Sequence, residues 1–240
     1  MEPHQSASAT GSVDLYCESI WPVRAEITAA HSAWLRHVAT PGTWWTGEQR
    51  VAFVTALWAA LDDPAPLPPW ESPAPPAASP LPAVAHEMSY RLARHAATTT
   101  QGWYQRTCDA LSDGAAAFVE LAALAATGCA VGTFGPALGV ERPALLNARP
   151  GDPSRERPPT TDATTNWVPV TPPADERAAV VQAFSAVPAE YDMLWQLASA
   201  QYMSIEDMAH LDWRRPGSPL HRRQLELVAA RLSIVRECFY

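Results

Sequence analysis

At 240 residues, with 48% hydrophobic and 18% charged side chains, the chain is long enough to bury its own core as one large domain or two small ones. Seventeen basic against 25 acidic residues give a formal charge of −8, a surface that repels phosphate backbones and argues against nucleic acid as a partner. Every basic residue is arginine, which excludes Schiff-base and P-loop lysine chemistry, and four scattered cysteines are too few for a disulfide-stapled secreted scaffold.

Residues 1–20 form a polar leader without the basic and apolar regions of a signal peptide. No apolar run reaches the roughly 18 uninterrupted residues of a membrane span, so the expected location is cytoplasmic. Pro22 to Ala39 places Val23, Ile27, Ala30, Trp34 and Val38 at spacings of three and four, which predicts an amphipathic helix. Thr46 and Gln49 then make a capping-box pattern ahead of RVAFVTALWAALDD, apolar on most sides and therefore a buried helix. The stretch PAPLPPWESPAPPAASPLP reads as an extended, polyproline-like surface connection.

Helical pattern resumes at Leu81, with Val84, Met88 and Leu92 on one face, and stops near Thr98. A short helix spans Trp103 to Leu111, and Ser112 with Asp113 caps a long Ala-rich central helix whose end Gly135 and Pro136 interrupt. Residues 141–173 form a second long connection, pinned by Trp167 and Val168. Three helical pieces follow: Asp175 to Ala186, Pro188 to Met203, and Ser204 to Trp213, the last with a Ser204/Asp207 capping pattern. Ser218 as N-cap and Pro219 at the first helical position open a final helix, whose Leu220, Leu227, Ala230, Leu232, Ile234 and Val235 suit a position clamped between neighbours. No segment alternates with period two, so the expected fold class is all-α.

EQRVAFVTALWAALDD and HRRQLELVAARLSIVREC share an Arg/Gln-rich start, a Val/Ala-rich middle and a charged end. Either the chain contains an internal repeat or two buried helices look alike by composition. Aligning Arg50 with Glu226 sets Asp62 against Cys238.

Glu226 and Cys238, twelve positions apart, carry the strongest chemical signal. A cysteine nucleophile acts as thiolate, and a carboxylate that takes its proton can supply it. Twelve residues of unbroken helix would hold the two about 18 Å apart, so cooperation requires a helix break before Cys238 or a neighbouring element that joins them. Cys17, Cys108 and Cys129 are expected to be small apolar fillers. His31 with His37, and His86 with His95, lack the i, i+4 spacing of a two-imidazole metal site and are read as solvated or core-edge residues. His221 is read as a surface residue, and the ten tryptophans as anchors of helices and loops.

QLELVAARLSIVRECFY resembles the core motif of the alkylhydroperoxidase D-like (AhpD-like) and carboxymuconolactone decarboxylase superfamily: a Glu in a Val/Ala-rich helix, eleven residues, Cys-x-x-Cys, then a His. PGTWWTGEQR, TFGPALGV and RPGDPSRERP resemble long members of the same family. The resemblance implies a helical fold of two related halves, with a degenerate first repeat at about 21–140, a connection at 141–173 and a second repeat at 174–240. It implies cysteine-dependent reduction of hydroperoxides, with Glu226 as proton acceptor and Cys238 as the first, resolving cysteine of the pair. The implied partners are a hydroperoxide substrate, an external thiol reductant and further copies of the chain; no cofactor or metal is implied. The second cysteine falls at position 241 and the histidine at 245, beyond Tyr240, so the reading frame is expected to continue with those residues. Lactone decarboxylation and a non-catalytic oligomeric scaffold remain the alternatives.

Overall fold

A computed structural model describes residues 15–158, 160–163, 166–171 and 179–238, and among them it is all-α. The helices are α1 (Ala25–Ala39), α2 (Gly47–Asp62), α3 (Ala83–Arg94), α4 (Gln101–Ala110), α5 (Gly114–Ala137), α6 (Ala179–Gln182), α7 (Pro188–Gln201), α8 (Ile205–Met208) and α9 (Arg222–Val235), with a single 3-10 turn at Ala96–Thr98.

The helix α1 buries Ile27, Ala30, Trp34 and Val38 along one stripe, as their three-and-four spacing requires. It begins at Ala25, three residues later than the apolar pattern suggests. The helix α2 starts at the expected capping box, in which Gln49 N–H donates to the Thr46 hydroxyl at 3.2 Å and Thr46 N–H to Gln49 Oε1 at 3.1 Å. It packs on α1, α3 and α5, while α7 lies against α1 and α5. In this core Trp34 and Trp58 stack with ring centroids 6.0 Å apart. Their indoles donate at 2.9 Å to the Thr127 hydroxyl and the Gly128 carbonyl of α5. A Cβ at Gly132 would overlap the Trp58 indole at its Nε1, so α2 approaches α5 this closely only over glycine.

The central helix α5 runs to Ala137, with Pro136 inside its last turn instead of ending it. Its length and composition would suffice to cross a membrane, which corrects the expectation that no such stretch exists; the stretch is mostly buried inside the fold. The proline-rich connection forms neither helix nor strand, is interrupted by turns in which Glu71 N–H donates to the Pro68 carbonyl at 3.0 Å and Ser79 N–H to the Pro76 carbonyl at 2.9 Å, and is tied down at Leu67, whose N–H donates to the Tyr90 hydroxyl at 2.7 Å and whose carbonyl accepts from His95 Nε2 at 2.7 Å. The connection after α5 has Val168 packed against the core, whereas Trp167 is about half exposed.

The C-terminal third departs further from the periodicity. Of the helix expected over 175–186, residues 175–178 lie outside the described residues, and of the rest only α6 is helical, followed by Phe184 at φ 68°. The Ser204 cap forms, with Asp207 N–H donating to its hydroxyl at 3.1 Å, but α8 closes after one turn. The last helix does not begin at Pro219. The segment after Trp213 closes into a turn in which Arg222 N–H donates to the Trp213 carbonyl at 3.1 Å, keeping the backbone extended through His221. His221 is the N-cap: its Nδ1 accepts from the Arg223 N–H at 3.1 Å, and its own N–H donates to Gln224 Oε1 at 2.8 Å.

The expected clamping of α9 is overturned: none of its residues is buried, and Leu227, Leu232 and Ile234 are 71%, 59% and 67% exposed. The apolar composition is there, but no described element lies over that face. The helix is held at its first turn, where the Arg222 guanidinium donates to the carbonyls of Met208 and His210 at 2.7 and 3.0 Å.

Candidate functional site

Glu226 lies in the second turn of α9. Its carboxylate accepts from Arg222 Nε at 3.1 Å and from the Tyr202 hydroxyl at the end of α7. Burial pushes the Tyr202 phenol up to about 12, and the neighbouring carboxylate adds to the shift. The helix stops at Val235 through paired C-terminal bonds: Cys238 N–H donates to the Ser233 carbonyl at 2.9 Å and Glu237 N–H to the Ile234 carbonyl at 3.2 Å, with Glu237 at φ 54°. These two bonds, closed by a left-handed residue, are a Schellman stop. Cys238 therefore sits just past a helix break, with its thiol free and exposed. The nine-residue climb from Glu226 to Val235 still separates them by about 13 Å along the axis, and the Glu226 carboxylate is engaged by Tyr202 and Arg222, with no hydrogen bond to Cys238.

The remaining cysteines differ from one another. Cys108 is buried and Cys129 partly so; burial pushes both thiols up, Cys129 to about 11 against the opposing pull of Arg236. Both are poor nucleophiles near neutral pH. Cys17 is exposed, which corrects its reading as an apolar filler.

A second constellation follows no motif in the sequence. Arg50 of α2, Glu120 of α5 and Glu190 of α7 are essentially fully buried, at 0%, 0% and 1% exposure. Arg50 Nη1 is shared between Glu120 Oε1 and Glu190 Oε1, the latter at 2.7 Å, and Nη2 donates to the His37 carbonyl at 3.2 Å. Glu120 Oε2 accepts the Trp44 N–H at 2.6 Å, and His37 Nε2 donates to Glu190 Oε1 at 2.8 Å. Gly42 permits this approach, because a Cβ there would overlap the Glu120 carboxylate and the Arg50 guanidinium.

Charge balance explains the electrostatics of this group. Burial alone would push the Glu190 carboxyl up, but Arg50 and His37 outweigh it and hold the group down at about 2. Glu120, buried and facing Glu190, is shifted up despite Arg50 and the Trp44 N–H. Burial opposes the Arg50 charge, and the two carboxylates more than restore it. The space that a cation would occupy between Glu120 and Glu190 is filled by the guanidinium. The cluster locks four helices and the Thr40–Thr46 loop together, with its three charged side chains sealed from solvent and His37 partly exposed at its edge, so its role is positioning. One signal in the sequence could have revealed it: Glu120 is the only charge in a helix apolar all round, and such a charge must be buried with a partner.

The four histidines weighed as metal ligands do other work. His31 is buried between the Tyr16 hydroxyl and the Gln201 amide, each 2.6 Å away, and burial lowers its pKa to about 4. His37 serves Glu190, His95 anchors the proline-rich connection, and His86 lines a groove against it.

No protein-family model, curated protein or solved structure matches the chain.

Proposed function

We propose that the chain is an AhpD-like protein of two related helical halves, with α2 and α9 as corresponding helices, and that it serves thiol-dependent reduction of hydroperoxides. The observation that carries the reading is the end of α9: a Glu in a Val/Ala-rich helix, followed by a helix stop that leaves an exposed, unpaired Cys238 at the motif's spacing. The resemblance assigns the peroxide-attacking thiolate to a cysteine at position 241. That sulfur bonds to one peroxide oxygen, the O–O bond breaks, and the alkoxide takes a proton and leaves as alcohol. Cys238, its proton passed to Glu226, then attacks the sulfenic sulfur; a disulfide forms and hydroxide leaves as water after protonation. An external dithiol returns both sulfurs to the reduced state by exchange. For Glu226 to act, its contacts with Tyr202 and Arg222 must yield and Cys238 must approach it.

The test extends the chain so that position 241 is cysteine and position 245 histidine. One equivalent of alkyl hydroperoxide should then yield a Cys238 disulfide, slowed at least tenfold by Glu226→Gln; absence of the disulfide, or an unchanged rate in that variant, overturns the reading. The 240-residue chain itself should show Cys238 alkylating like an ordinary free thiol.

The exposed apolar face of α9 favours a second reading, an oligomeric scaffold in which copies of the chain cover one another there. Self-association without any peroxide-dependent disulfide in the extended chain would select it.

A further inference from the structure

The helix α9 has two distinct faces. Arg222, Leu225, Glu226, Ala229 and Ser233, spaced by three and four, are half-buried and turn toward the body. Leu227, Val228, Leu232, Ile234 and Val235 stand exposed on the opposite side, with Arg231 at the middle of their stripe and Arg223 at its N-terminal end. Glu226, the only acid of the helix, is on the inner side and held by Tyr202 and Arg222. Arg223 and Arg231 form no ion pair among the described residues. The outer face is thus apolar and cationic at once, in a chain of formal charge −8 whose residues 211–240 nonetheless hold six arginines against three acids.

That combination selects among occupants. A stripe of five apolar side chains on a 14-residue helix, about 21 Å long, is small beside the roughly 20–30 residues per partner of a stable protein interface. A twofold pair of copies centred on the stripe also sets Arg231 against its own counterpart, with no acid on either face between them. Association of copies through α9 alone is therefore weak. Near the same end of the molecule Ile20 and Trp21 are strongly exposed, just ahead of Arg24, whose guanidinium donates to the Ala200 carbonyl of α7 at 2.5 Å. Apolar anchors on separate segments, one of them a tryptophan, suit a broad surface with an apolar interior and a polar skin.

We propose that the outer face of α9 docks on a lipid bilayer containing acidic lipids, lying in the interface plane without crossing it. Leu227, Val228, Leu232, Ile234 and Val235 enter the boundary between headgroups and acyl chains. The stem of Arg231 lies among them, and its guanidinium reaches back to the phosphates. Arg223 meets the headgroups at the helix start. The acids elsewhere on the chain oppose this little, because at physiological salt charges more than about 8 Å from the surface are largely screened. The proposal does not depend on the reading of Glu226 and Cys238.

Co-sedimentation of the full chain with vesicles tests this, comparing pure phosphatidylcholine with a mixture containing about one-third phosphatidylglycerol. Binding to the acidic vesicles should be about tenfold tighter than to the neutral ones, and added salt should weaken it. Leu227→Glu should weaken binding to the acidic vesicles at least tenfold. Arg231→Gln should weaken it about fivefold and leave binding to neutral vesicles unchanged. Both residues are exposed, so urea unfolding of either variant should match the parent, which separates a lost surface from a lost fold. No binding to acidic vesicles, equal binding to the two compositions, or binding indifferent to Leu227→Glu each overturns the proposal. So does a chain that only self-associates, its oligomers unchanged in light scattering when acidic vesicles are added.

Discussion

The helices α2 and α9 are built from similar sequence and end in opposite circumstances. The former buries Arg50, Phe53, Val54, Leu57, Trp58 and Ala60 among three neighbouring helices; the latter buries nothing. Both carry a charged residue at the aligned position. Arg50 is sealed between two carboxylates, whereas Glu226 is a half-exposed partner of an Arg four residues earlier. Apolar composition states that a helix has something to bury, and only the neighbours decide whether it does. The same ion pair is decisive in one setting and slight in the other, because desolvation sets the stakes.

The largest effect should come from breaking the buried group. Arg50→Met removes the shared cation and leaves two facing carboxylates in the core, which should cost about 3–5 kcal/mol in urea unfolding. Glu226→Ala should cost less than about 0.5 kcal/mol. Comparable losses in the two variants would erase the distinction between the regions.

An intermediate effect is expected from pH. His31 is held neutral in the fold, with a pKa of about 4 against the ordinary 6.5. Below pH 6.5 the unfolded chain takes up a proton that the folded chain refuses, so stability falls with pH until the folded pKa is passed. Between pH 7 and 4.5 this amounts to about 2.5 kcal/mol. Glu190, shifted down, adds a loss only further down, between 4.5 and about 2; Glu120, shifted up, acts in the opposite sense. His31→Gln, which keeps a polar partner for Tyr16 and cannot titrate, should flatten the dependence between pH 7 and 4.5; an unchanged slope in that variant would place the sensitivity elsewhere.

The smallest effect on folding should come from α9. Leu232→Glu should shift stability by no more than about 0.5 kcal/mol, while Leu57→Ala in α2 should cost about 2–5 kcal/mol. Light scattering of the Leu232→Glu chain should show less self-association than the parent; equal association would mean that this face is not the one that copies share.

The elements that sequence made legible are those whose neighbours were implied by their own pattern. The stripe of α1, the Thr46–Gln49 box and the all-round apolar α5 each required burial or capping, and each is found. Of Arg50, Glu120 and Glu190 only the lone charge of α5 was legible as buried; its partners were not, because they come from separate helices and are ordinary surface residues by type. The end of α9 was partly legible: cooperation of Cys238 with Glu226 called for a break before Cys238 or a neighbouring element to join them, and the break is present while no hydrogen bond joins the two. What stopped α6 and α8 short were turns centred on Phe184 and on the 209–221 segment, local closures that helical periodicity does not register.

The proline-rich wall of the His86 groove has a consequence for the unfolded chain. Nine prolines between Pro64 and Pro82 restrict the backbone before folding begins, so fixing this segment against α2 and α3 gives up less conformational entropy than an ordinary loop of that length. A few anchors therefore suffice: the bonds at Leu67, with Gln49 Nε2 reaching the Pro80 carbonyl at 3.4 Å. The wall keeps its shape through the stiffness of its covalent rings, without the hydrogen-bond ladder that a strand or helix in the same place would need.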